Sequence, residues 1–339
     1  MRFTRKKDTM KFLNKHFKPP VCLFPALLTT FLVACGGGGL DPILGSDGTS
    51  TPAPVEATPS TPTTPPDTPV NPVVPVDPVV PVVPVDPVLP VLPVLPVLPI
   101  APINSPNLGS AASFGAFGGA AGVTNQGVKT IVNGNLGTTA ACTLNTGFHD
   151  ATNVYTETPL NIGGVNGSVF CAPPAPGTLA TMAIATQALA DAQSAYNALA
   201  ALPPGSDPGA GQLGGLVLAP AVYTAAGGTF NLTSGNLTLD GQGNSNAVWV
   251  FQSASSLTVG LGATPRSITL INGAQAKNVF WKVGSAARIE DGSTMVGTII
   301  APAGVTISTA GQTKQTTLVG RALSLTASVT MVNTTIVAP

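Results

Sequence analysis

The chain has 339 residues, room for two domains, yet only 8% are charged while glycine (38) and proline (34) are in excess. Half of the fourteen basic residues fall in the first eighteen positions, and from Asn107 onward seven basic residues balance seven acidic ones. A neutral body without a basic patch argues against nucleic acid as a partner. With His149 the one histidine beyond the leader, histidine-based metal sites and general-base catalysis lack their usual groups.

Residues 1–18 are basic and Val21–Ala34 form a short apolar run. That pairing reads as an exported leader, because the run is too short to span a bilayer and ends in small residues. Its close, Leu32-Val33-Ala34-Cys35 followed by Gly36–Gly39, resembles the bacterial lipoprotein signal. The resemblance implies a signal peptide over 1–34 and a lipid on Cys35 that would hold the exported chain to a membrane. By resemblance to Gram-negative lipoproteins, glycine rather than aspartate after Cys35 implies the outer membrane and cell surface rather than the inner membrane. An ordinary signal peptide with an incidental cysteine, or an uncleaved anchor, is the alternative.

Residues 35–106 read as a linker. They are Pro/Thr-rich from Asp41, then become a Val/Leu-Pro repeat such as Pro93-Val94-Leu95-Pro96-Val97-Leu98-Pro99. Proline at every second or third position removes the amide donors that helix and sheet need, which leaves extended polyproline II. At about 3.1 Å per residue, some 65 such residues reach on the order of 200 Å. No basic anchors flank the prolines, so a stiff spacer is favoured over a peptide-docking ligand.

The folded domain is expected over 107–339. Val123-Thr124-Asn125 and Val128–Leu136 read as short strands of a first coil. A Thr/Asn/Gly-rich cap insertion over 137–177 carries Cys142 and Cys171, the cysteines left once the leader and lipid site are removed. In an exported protein such an isolated pair reads as a disulfide, worth roughly 3–4 kcal/mol by loop closure. One histidine nearby does not complete a metal ligand set, so no metal is expected. Residues 178–202 form an alanine-rich helix with Thr178 as N-cap, Pro203-Pro204-Gly205 as stop, and Leu189, Ala192, Tyr196 and Leu199 on one stripe.

After Gly214-Gly215-Leu216 the chain repeats a pattern of one threonine between two aliphatic residues. The triplets are Leu237-Thr238-Leu239, Leu257-Thr258-Val259, Val305-Thr306-Ile307 and Val329-Thr330-Met331, with Ala287-Arg288-Ile289 carrying arginine in the middle slot. Side chains alternate faces along a strand, so the aliphatic flanks point inward together and the middle residue points out. Recurrence at intervals of roughly 20 to 30 residues predicts stacked coils, whose outward threonines would form a column spaced about 4.8 Å. Between the triplets, Val248–Gln252, Val279–Val283, Met295–Ala301 and Leu318–Ser324 read as apolar strands of another face, the one the helix covers.

Several stretches resemble the ice-binding protein family of bacteria, fungi and algae. They are Leu108–Phe114, Asn133–Gly137, Leu213–Leu216, Ala219–Tyr223, Leu270–Ala276, Asn278–Ser285, Val296–Ala301 and Gly320–Leu323, in order across 107–339. The resemblance implies a mainly β fold, a right-handed β-solenoid with one long α-helix packed alongside. It also implies adsorption to ice through a flat, hydroxyl-bearing sheet, with no catalytic residue, cofactor or small-molecule substrate. The expected contact residues are Thr238, Thr258, Thr306, Ser308 and Thr330, and the expected partners are an ice crystal surface and, through Cys35, a membrane.

Some relatives carry Thr-Ala/Gly-any-Thr/Asn tetrads on that sheet; here Thr309-Ala310-Gly311-Gln312 and Thr326-Ala327-Ser328-Val329 fall short of it. Arg288 and Glu290 interrupt the threonine column. These departures leave a second reading, a non-ice adhesin or envelope-structural module binding glycan or another surface, for which Trp249, Trp281 and a few tyrosines are the available aromatics. A hydrolase would need clustered carboxylates, and the nearest pair, Glu290-Asp291, reads as a turn.

Overall fold

The computed structural model describes residues 103–339, so the leader, Cys35 and the linker lie outside the described residues. Short parallel strands stack into a β-solenoid whose coils each pass through three faces. One coil shows the path: Leu257–Val259 on the first face, Ile268–Ile271 on the second, Val279–Val283 on the third.

The first face is a six-stranded sheet in the order Phe230–Leu232, Leu257–Val259, Ala287–Ile289, Val305–Ile307, Val329–Met331, Val123–Asn125. The second begins as Val217–Leu218, Leu237–Asp240 and Ile268–Ile271, and continues through a Ser267–Thr294 bridge into a thirteen-stranded sheet. Thr294–Ala301 and Thr316–Ser324 are long enough to cross the corner from the second face to the third. They turn at the paired Gly297 and Gly320. Gly297 has φ +103°, and a Cβ on Gly320 would collide with the Gly297 carbonyl oxygen, so the corner requires both glycines.

Each rung repeats the inward residues of the last. Tyr223, Phe251, Trp281, Ile299, Ala322 and Ala116 occupy one register position in successive strands. Phe251 stacks on Tyr223 at 5.4 Å and on Trp281 at 4.0 Å between ring centroids. The indole N–H groups of Trp249 and Trp281, both fully buried, donate to the carbonyls of Leu218 and Val296.

The third face lies under the helix Leu179–Ala201. Thr178 and Thr181 form its capping box, and the side-chain amide of Gln252 donates to the Leu199 and Leu202 carbonyls at its far end. Ala185, Ala188, Ala192, Ala195 and Leu199 recur at the helical period and are buried against Val250, Phe280, Ile300, Leu323 and Phe117. Leu189 and Tyr196, expected on that stripe, sit half-buried at its margin. The helix also carries the chain from one end of the stack to the other. Its 23 residues span about 34 Å.

That return corrects the expected coil order. The segment read as a first coil is stacked beyond the last one: Phe114–Gly118 pairs with Thr316–Ser324, Val123–Asn125 with Val329–Met331, and Thr130–Asn133 with Thr334–Val337. Arg321 ties the junction together. Its buried guanidinium donates to the carbonyls of Ala112 at 2.8 Å and Pro339 at 2.6 Å. Beyond this coil lies the cap, held by a disulfide between Cys142 and Cys171.

Candidate functional site

On the six-stranded sheet every strand is three residues long and buried at both ends, with its middle side chain pointing out. The register aligns those middle residues into one column. With single-residue bridges at each end it runs Gln212, Asn231, Thr258, Arg288, Thr306, Thr330, Thr124, Thr146. Seven steps of about 4.8 Å give about 34 Å, the length of the helix on the other side. Two positions before each middle residue the chain is small or hydroxylic: Thr229, Ser256, Ala286, Gly304, Ser328 and Gly122.

The column brings Thr258, Thr306 and Thr330 together, all half-buried and in register. Two other candidates are elsewhere. Thr238 lies on the second face, paired with Val217 and Thr269. Its coil contributes Phe230–Leu232 to the first face, so Asn231 takes the place expected for Thr238. Ser308 is buried, because the chain turns inward after Ile307 at φ +63°, and its hydroxyl faces the Asp291 carboxylate at 3.5 Å. Thr124 and Thr146 replace them. Val123-Thr124-Asn125 has the outward-threonine pattern, but only the return of the chain places it beside Thr330.

Arg288 stands between Thr258 and Thr306 and is the charged member of the column. Its Nε pairs with Glu290, and its Nη2 donates to the Thr309 hydroxyl at 2.9 Å. The uninterrupted threonine run is therefore Thr306, Thr330, Thr124 and Thr146.

Chemistry of other kinds has little to work with. Both tryptophans are core residues, and Tyr196 is half-buried beneath Lys282, whose ammonium lies 5.0 Å from the ring centroid. Among the described residues no three His, Cys, Asp or Glu side chains converge as a metal site would require. In the cap, Asp150 accepts from the Thr152 and Asn153 amides and from the Thr152 and Tyr155 hydroxyls. Burial works to raise its pKa, but those donors outweigh it and hold the carboxyl below its ordinary value.

Residues 117–337 match the family model described as ice-binding-like. The chain belongs to the ice-binding-like family. An ice-binding protein of Nostoc sp. (strain HG1) is 39% identical over 167 residues, 49% of this chain and 55% of that one. The chain thus spans about half the length of that curated relative. Among solved structures, an ice-binding protein of the Antarctic ascomycete Antarctomyces psychrotrophicus is 30% identical, with a TM-score of 0.54 over 70% of this chain and 99% of its own. A domain of ice-binding protein 1 from Shewanella frigidimarina is 28% identical, with a TM-score of 0.56 over 70% of this chain and 98% of its own. The overlap with these ice-binding-like structures takes in 70% of the chain, and with it the mainly β architecture described above.

Proposed function

We propose that this ice-binding-like chain adsorbs to ice through the six-stranded sheet, with Thr258, Thr306, Thr330, Thr124 and Thr146 as its contacts. One observation carries the reading: threonines from the first and last parts of the folded domain fall into a single register on a face whose one column charge is tied down. Threonine is stiff at χ1, so a ladder of it on a stacked backbone is ordered before it meets a surface, and docking costs little entropy. Hydroxyls and methyls at a fixed repeat would order a water layer continuous with the ice lattice.

The same reading gives the N-terminal segments a task. A lipid on Cys35 and the proline-rich 35–106 linker would hold the 107–339 domain to the cell envelope and present it at the outer surface. Acylation is tested by mass spectrometry of the chain expressed with and without Cys35→Ala.

Thermal hysteresis and inhibition of ice recrystallisation by the full chain test the main proposal. Thr330→Tyr, at the centre of the ladder, is expected to lower the activity several-fold while circular dichroism stays unchanged. A wild-type chain without effect on ice growth at micromolar concentration would refute it.

A further inference from the structure

The sheet next to the proposed contact face carries a second hydroxyl column. Ser267, Thr294, Thr317 and Thr335 occupy one register position in four successive rungs. All four are half-buried, with side chains opposite the core ladder of Met295, Leu318 and Ile336. None is charged. Two residues further along their strands, Val319 and Val337 are paired and set methyls beside the hydroxyls, Val337 exposed and Val319 half-buried. The strand repeat puts these two columns about 6.7 Å apart, against about 4.8 Å from rung to rung. This column is as long as the uninterrupted run Thr306, Thr330, Thr124, Thr146. The Gln315 amide covers one end by donating to the Thr335 hydroxyl at 2.9 Å.

We infer that this second face, centred on Thr294 and Thr317, is an additional ice-contacting surface, an inference that rests on the function proposed for the first. The same coils supply both columns: Thr306 and Thr317 belong to one, Thr330 and Thr335 to the next. Between them the chain turns a corner, at Asn333 with φ +43° and at the inward-facing Ser308. The two faces therefore point in different directions and cannot lie on one flat crystal plane together. A neutral mesh of hydroxyls and methyls at two fixed spacings suits an ordered water surface. A protein partner would be expected to meet charge or protruding aromatics, and this column has neither. The consequence is a domain that adsorbs to two sets of crystal planes.

The test is ice-plane affinity. Fluorescently labelled full chain is grown into a single-crystal ice hemisphere as wild type, Thr317→Tyr, Thr330→Tyr and the double variant. Val337→Lys, at an exposed position, serves as a second probe should Thr317→Tyr fail to fold. Wild type is expected to label two sets of planes. Thr317→Tyr and Val337→Lys should lose one set, Thr330→Tyr the other, and the double variant both. Second-face variants that label as wild type, or loss of all labelling on Thr330→Tyr alone, would overturn the inference and leave the first face standing. Concentration-dependent dimerisation abolished by Val337→Lys, with labelling intact, would assign the face to a second copy of the chain instead. A wild-type chain that labels no plane would overturn both readings.

Discussion

Replacing Arg288 by threonine, together with Glu290→Gln to spare an unpaired carboxylate, should enlarge the contact face without disturbing the fold. In register, position 288 lies between Thr258 and Thr306. The substitution would join Thr258 to the run through Thr146, from four consecutive threonines to six. Three steps of about 4.8 Å become five, so the unbroken ladder grows from about 14 Å to about 24 Å. The stability cost is small, since the Arg288–Glu290 pair is solvent-exposed on the arginine side and such pairs contribute about 0–1 kcal/mol. Threonine also suits an outward strand position. Thermal hysteresis measured by nanolitre osmometry is expected to rise several-fold, with a melting curve close to wild type. Unchanged or reduced activity in a variant that melts normally would refute the argument, because the column would then not be what touches ice.

Three further outcomes concern the scaffold. Removing the disulfide with Cys142→Ala and Cys171→Ala, which lie 29 positions apart, should lower unfolding stability by about 3–4 kcal/mol in urea titrations. Arg321→Met strands the Ala112 and Pro339 carbonyls, and relief from burying a cation offsets only part of that. A net loss of about 2–4 kcal/mol is expected in the same titration. Asp150 has a depressed pKa in the fold, so its contribution is present above the unfolded value of about 3.9 and is lost as pH falls through the folded one. Protection factors of the cap amides, which remove the intrinsic pH dependence of exchange, should fall below about pH 4 in wild type, whereas Asp150→Asn should show no such acid limb.

The sequence by itself determined the local structure. Alternation in Leu-Thr-Val or Val-Thr-Ile sets aliphatic flanks inward and threonine outward, and alanine content with a Thr178 cap and a Pro203-Pro204 stop marks out the helix and its ends. Which rungs lie side by side is not local. Thr124 stands next to Thr330 because the helix returns the chain along the whole stack, a matter of two matched lengths that no triplet encodes. Thr238 sits in the same aliphatic-Thr-aliphatic pattern as Thr258 yet faces another way, because each coil crosses three faces and a triplet does not say which one it is on. Ser308 has a hydroxyl in the right stretch but turns inward at a positive φ to follow the corner. Tertiary structure alone decided the membership of the contact column, since a column is a relation between coils.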